Sequence, residues 1–364
     1  GWPMHRTALV WLVALGVLGG GCTTGPAVPA PSPPVSPTAP SGPAPNPPAS
    51  ASATPTPAPE EPFADLDQLV LTEPGSFGPG WSELFALPYG DAPEQLGTSL
   101  GGEDLQWGPS YGTQIPDGSW WFLDTAHRRL AHYSETGSYL GEVRIPERYL
   151  AGGEYVQYAA PIALSDGTVV LQSTTIDDPA MLLLAPDGGL ARVELPSFFA
   201  VKGTDGSHLY GFSEQGDPVQ VDPRQGTITD VDAFAGQAIA GYNLSVTRGR
   251  LGLTLPEVTL DLPVKAAGRE TSTVYLNLEA AAGADGVLNL LVSGMIEDEP
   301  GEITDVTGFV RINPAGRGLI ESVPLLTSPS DPGDGLRLGV RLGDSRPWLM
   351  VIDSGAVRVY RRTG

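Results

Sequence analysis

One stretch, residues 117–146, DGSWWFLDTAHRRLAHYSETGSYLGEVRIP, constrains the fold more tightly than any other. The turn Pro116-Asp117-Gly118 launches an apolar run at 119–123, residues 124–128 interrupt it, and a second run occupies 129–134. Glu135-Thr136-Gly137 then turns the chain into a third run at 138–145. Each run has the length of a sheet strand, and the Asp-Gly and Thr-Gly pairs sit where a backbone must reverse with positive φ. The segment predicts a three-stranded antiparallel meander.

The same pattern recurs. Asp166-Gly167 precedes a run at 168–172, with further runs at 181–184 and 190–195. Asp205-Gly206 precedes 208–212, then 219–222 and 228–231. A weaker copy starts at Arg248-Gly249-Arg250, with a run at 251–254 and 274–278 near its end. Asp285-Gly286 launches 287–292, followed by 308–312 and 319–325, and Gly343-Asp344 precedes 348–352 and 357–360. Launches at Gly118, Gly167, Gly206, Gly249, Gly286 and Gly343 are spaced on the scale of a four-stranded propeller blade, roughly 40–50 residues. Six launches predict an all-β, six-bladed β-propeller over 63–364; a pair of β-sandwiches is the alternative. The 47 Gly and 37 Pro supply turns and disfavour long helices. Trp81 to Pro88, WSELFALP, is placed to pair with the strand ending at Tyr360 and close the ring, which removes free sheet edges.

Residues 117–145 resemble an NHL-type repeat of six-bladed β-propellers. Gly108-Pro109, the Asp117-Gly118 turn, Asp124-Thr125-Ala126-His127-Arg128-Arg129 and the Thr136-Gly137 turn carry the likeness, which is partial over the next two units and weak after them.

The N-terminus has a different logic. After Met4 come His5 and Arg6, an apolar run at 8–18, and Gly19-Gly20-Gly21-Cys22, so residues 1–21 read as a targeting segment. The apolar run is shorter than the ~20 residues of a membrane span. It resembles a bacterial lipoprotein signal peptide, in which small residues precede a modified Cys; Leu18 stands four places before Cys22 and Gly19 takes the third. The resemblance implies cleavage before Cys22, lipidation of its sulfur, and anchoring on the extracytoplasmic face of the bacterial cell membrane. Cys22 is the single cysteine, so no intrachain disulfide can form. Residues 22–62 are almost all Pro, Ala, Ser and Thr and carry no charge before Glu60, the composition of a disordered polyproline-II linker.

The net charge of −22 argues against nucleic acid as a partner. No G-x-S-x-G, H-E-x-x-H or G-x-x-x-x-G-K-[ST] motif is present. His127, His132 and His208 show no metal-ligand spacing, and His127 falls inside the repeat signature, where a turn-packing role suits it. Glu297, Asp298, Glu299, Glu302 and Asp305, together with Asp177-Asp178, are the only groups that suggest a cofactor, Ca2+, and they read better as solvated loops. Trp120, Trp121 and Trp348 lie in apolar runs that predict burial, which leaves Trp107 and Tyr111 as candidates for an exposed binding patch. These features predict a tethered, non-catalytic module that binds a protein, glycan or small molecule. The alternative is a propeller enzyme, such as a calcium-dependent lactonase-like hydrolase or a lyase.

Overall fold

The computed structural model describes residues 63–100, 106–107, 111–150, 156–232, 245–246, 249–255, 257–268, 274–299, 302–323, 335–353 and 355–363. The expected signal peptide, Cys22, the linker and Gly108-Pro109 lie outside them. The chain divides into Gly1–Pro57 and Ala58–Gly364, and every described residue belongs to the second unit.

The Asp-Gly turns work as their chemistry requires. Asp117, Asp166, Asp205 and Asp285 each accept, through Oδ1, the backbone N–H two residues on, at 2.8, 3.0, 2.8 and 3.1 Å. The glycines that follow them hold φ between 79° and 96°, a region closed to most side chains. Each turn returns the chain antiparallel onto its own inner strand.

The described residues form strands β1 (Ala64–Asp65), β2 (Leu69–Leu71), β3 (Trp81–Pro88) and the short pair β4 (Ser99–Leu100) and β5 (Gln106–Trp107). The first sheet then follows as β6 (Gly112–Gln114), β7 (Trp120–Asp124), β8 (Arg129–Tyr133) and β9 (Tyr139–Arg144). The second is β10 (Tyr158–Ala163), β11 (Val169–Ser173), β12 (Ala180–Leu184) and β13 (Leu190–Glu194). The third is β14 (Phe199–Thr204), β15 (Leu209–Ser213), β16 (Pro218–Asp222) and β17 (Thr227–Asp230). β18 (Ser245–Val246), β19 (Arg250–Thr254) and β20 (Thr259–Ala266) take β2 as a parallel edge strand. β21 (Val274–Ala282), β22 (Leu288–Glu299), β23 (Glu302–Ile312) and β24 (Arg317–Glu321) take β1, and β25 (Gly335–Val340), β26 (Pro347–Ile352) and β27 (Ala356–Arg362) take β3. The molecule is thus all-β and propeller-like; its described helical structure is one 3-10 turn, Glu147–Tyr149.

Trp81 to Pro88 pairs antiparallel with β27, from Arg362 opposite Trp81 to Ala356 opposite Pro88, as its sequence position predicts. Two expectations need correction. Residues 274–278 do not end the fourth unit; they open β21, paired with β22 of the fifth sheet, because an apolar run specifies a strand but not its partner. The acidic stretch 297–305 is no loop either: β22 and β23 continue as a long hairpin to the pair Glu299–Glu302, with Asp305 opposite Met295. The meander reading also missed a strand, since β6 precedes the first Asp-Gly turn and pairs with β7.

Hydrophobic clusters lie between sheets, in sequence. Leu123 and Leu130 of the first sheet pack with Val169 and Leu182 of the second, and Val170 and Met181 of the second with Phe199 and Val219 of the third. Tyr210 of the third joins Leu251 and Leu262 of the fourth and Leu290 and Val310 of the fifth. Phe309 of the fifth meets Leu349 of the sixth. The last cluster, with Trp348, Met350 and Phe85 against Trp120 and Phe122, packs the sixth sheet on the first. Each sheet buries one face on each neighbour, which explains fully buried runs such as β11 and β12.

The Asp-Thr-x-x-x-Arg signature is a buried ion pair. Arg129 Nε donates to Asp124 Oδ2 at 2.9 Å, Asp124 Oδ1 accepts the Gly97 N–H at 3.0 Å, and His127 Nδ1 lies 2.8 Å from Oδ2. Arg129 also donates to the Pro93 carbonyl at 3.0 Å and pairs with Glu142. His127 therefore serves the turn and clasps the segment before β4 to the first sheet. Asp353 and Arg358 repeat the contact in the sixth sheet, five residues apart with Nε to Oδ2 again 2.9 Å.

Gly137 and Gly216 separate backbone strain from packing at the sheet interfaces. Both have positive φ, 83° and 86°, but a Cβ at 137 would meet Phe85 at 2.5 Å whereas one at 216 meets nothing within 4 Å. Gly216→Ala is expected to cost about 1 kcal/mol from φ alone, and Gly137→Ala about 2–4 kcal/mol once overpacking is added. Denaturant unfolding checks this; equal losses would mean the Phe85 contact is soft.

Candidate functional site

β6, β10, β14, β21 and β25 are the first strands of five sheets, and their ends bound a cavity of about 100 Å³. Ala280, Ala281 and Ala282 leave the space open, and Gly339 lies beneath the Trp348 indole, where any Cβ would overlap the ring. The wall also carries Gln114, Lys202, Thr204 and Arg337.

Beside the three alanines stands Glu279, whose Oε2 accepts the Leu338 N–H at 2.7 Å. Burial pushes its carboxyl above the ordinary 4.5, against the pull of Arg337, the Leu338 N–H and Lys202. The Arg337 guanidinium sits 5.3 Å from the centre of the Tyr111 ring, within cation–π reach. Burial, with the Glu279 charge adding to it and Arg337 opposing, pushes the Tyr111 phenol up to about 12, so it stays neutral and can donate a hydrogen bond. Gln114 is held from both ends: Nε2 donates to the Gly118 carbonyl at 2.8 Å and Oε1 accepts from Arg361 at 2.6 Å.

Of the residues singled out from sequence, Tyr111 thus lies beside this group, half-buried against the cluster between the sixth and first sheets. Trp107 lies on β5 opposite Ser99. Trp120 and Trp348 are buried, while half-buried Trp121 stacks on His132 at 4.1 Å. His132 forms a chain that only superficially suggests a catalytic triad: its Nε2 lies 2.8 Å from Ser119 Oγ, and burial lowers its pKa. The carboxylate, however, is on the wrong partner. Asp117 Oδ1 takes the Ser119 hydroxyl at 2.7 Å, so the hydroxyl proton is directed to Asp117 and not to the imidazole.

Of the acidic candidates, Asp305 lies opposite Met295 in the β22–β23 hairpin. Asp178 is occupied by Arg192 at 2.7 Å. Among the described residues, no three His, Cys, Asp or Glu side chains gather to hold a metal ion. Lys202, Glu279 and Arg337 escaped the sequence reading because they sit on three strands far apart in the chain. A signal did exist, since Glu279 and Arg337 are the charges inside the largely apolar runs VYLNLEAAA and GLRLGV.

Residues 79–362 match the family described as a domain of unknown function, DUF7485. The chain belongs to this family. None of the curated proteins matches it. Among solved structures, it is similar to a catalytically inactive virginiamycin B lyase from Staphylococcus aureus with quinupristin, at 13% identity and a TM-score of 0.39, covering 77% of this chain and 99% of that one. It is also similar to the calcium-binding protein regucalcin from Agrobacterium tumefaciens, at 15% identity and 0.38, covering 81% and 97%. A third similar structure is the β-propeller domain of Cps50 (Swd1) from Myceliophteria thermophila, at 9% and 0.38, covering 72% and 98%.

The raised Glu279 pKa fixes the sign of a pH effect. A carboxyl whose folded pKa lies above its unfolded value favours the fold below the unfolded pKa, and that contribution is lost as pH rises through the folded pKa. Glu279→Gln is therefore expected to melt higher than wild type at pH 8, with the gain fading toward pH 4.5. Paired thermal melts across that range check it; a variant less stable at pH 8 would mean the ionised carboxylate is a net support.

Proposed function

We propose that the chain is a lipid-anchored, extracytoplasmic binding module: a six-bladed β-propeller of the NHL type, carried on a Pro-rich stalk, that takes its ligand in the cavity between the inner strands. Six sheets packed in sequence, with Phe85 and Trp348 of the last against Trp120 of the first, support the blade count. The Asp124–Arg129 contact and its counterpart at Asp353–Arg358 support the NHL likeness. The anchor rests on Cys22 and the apolar segment before it.

The observation that carries the binding role is that Lys202 and Arg337 line one opening, with Glu279 and Tyr111 in electrostatic and cation–π reach of Arg337 behind it. A carboxyl buried in a β core, as Glu279 is, opposes folding, and recognition of a ligand accounts for its standing beside Arg337 and Lys202 at the opening. Glu279 is engaged by a backbone N–H and by cations, and the Ser119 hydroxyl is committed to Asp117, which favours recognition over covalent chemistry. A protein could reach the site only with an exposed tip; a glycan end or small molecule fits it directly.

The test has two arms on the full chain produced in a bacterial host. Wild type is expected to incorporate labelled palmitate and sediment with membranes, and Cys22→Ser to do neither. A photo-crosslinking side chain at Ile162, on the cavity wall, is expected to capture a ligand on intact cells, whereas one at Leu140, exposed on β9, captures none. Label persisting in Cys22→Ser would refute the anchor, and capture from Leu140 alone would move binding to the outer strands.

A further inference from the structure

The polar atoms around the cavity are unbalanced in kind. The buried side-chain nitrogens and oxygens without a partner, among the described residues, are Trp120 Nε1, Trp348 Nε1 and Arg361 Nε. All three are donors. Trp348 lines the cavity, and Trp120 meets it edge to face with ring centres 5.2 Å apart. Arg361 opposes Trp348 in the β26–β27 register and donates to Gln114, another wall residue. Lys202 and Arg337 add donors that carry charge.

The charges are unbalanced too. In a chain of net charge −22, two cations, Lys202 and Arg337, line one cavity, while the nearby carboxyl of Glu279 is taken up by the Leu338 N–H at 2.7 Å. What such a wall lacks is an acceptor-rich anion. A buried donor left without an acceptor is costly, and a carboxylate offers about four lone-pair sites to several donors at once. Size narrows the class. One water needs roughly 10–15 Å³ of this kind of space, so a cavity of about 100 Å³ holds a handful of such groups. That suits a mono- or short dicarboxylic acid better than a polymer segment.

We infer that this cavity is a carboxylate site for a compact organic anion, with Arg337 and Lys202 binding its charge and the Trp348 indole N–H completing the donor set. The inference rests on the cavity being the binding site of the module.

Succinate is the probe, with inorganic phosphate, uncharged succinamide and NaCl at matched ionic strength as comparisons, all added to the full chain during thermal melts. Succinate is expected to raise Tm by about 3 °C at tenfold excess over Kd, and Arg337→Gln and Lys202→Gln each to weaken it at least about tenfold. Lys202 has an exposed side chain, so Lys202→Gln carries the test should Arg337→Gln fail to fold. A succinate effect no larger than that of NaCl, or one that survives in Lys202→Gln, overturns the inference. A response to phosphate but not succinate overturns the carboxylate class in favour of another oxyanion. A response to succinamide alone, with Ile162 still crosslinking, leaves the cavity as the binding site while removing the anion. No response to any probe and no Ile162 crosslink would remove both readings.

Discussion

Burial between successive sheets is the constraint on which everything else depends. The chain has one cysteine, so no intrachain disulfide holds the domain, and no sheet can bury both of its apolar faces without its neighbours. Phe122, Leu130, Leu171, Phe199 and Phe309 are fully buried, and each contributes to a cluster shared with a neighbouring sheet. At about 1.5–3 kcal/mol for each large apolar side chain removed from water, these interfaces supply most of the favourable energy. The series would leave two bare faces if it were open. The Phe85–Trp120–Trp348 aromatic group, with ring centres 5.2–5.7 Å apart, covers them by bringing the last sheet against the first.

This arrangement frees the inner strands for another purpose. Because the sheets are stabilised by their flanks, the inner strands can carry small residues such as Ala280 to Ala282 and tolerate Glu279 and Arg337 among apolar neighbours. The same division of labour appears in the charged pairs. Asp124 and Arg129 are almost wholly buried and saturated with partners, and they fix a turn. Exposed pairs such as Arg250–Asp261, at 2.9 Å, are worth little in water.

Much of this was legible in the sequence, and the remainder was not for definite physical reasons. Asp-Gly turns have local causes, namely a side-chain oxygen reaching the N–H two residues on and a positive φ, so the turn positions and the strands after Gly118, Gly167 and Gly206 could be read directly. The pairing of Trp81 to Pro88 with the last strand followed from the need to cover sheet edges. Partner choice is not local, which is why residues 274–278 were attributed to the wrong sheet. The long β22–β23 hairpin was hidden for a related reason, since a run of acidic residues broken by Pro300-Gly301 has the composition of a loop whether or not its flanks pair. The cavity was the least legible feature, because Lys202, Glu279 and Arg337 meet only once three separate sheets have taken their places.

The pairing of β3 with β27 also orders events in time. Tyr89, at the end of β3, donates its hydroxyl to the Asp353 carbonyl, 264 residues away in sequence. At a synthesis rate of about 5–20 residues per second, the early strand waits on the order of 10–50 s for its partner to exist. Throughout that interval WSELFALP is an apolar edge with unpaired backbone groups, the kind of segment that pairs with whatever strand it meets. The architecture that leaves the finished molecule well covered therefore makes its nascent chain dependent on being held apart from its copies until the last residues emerge.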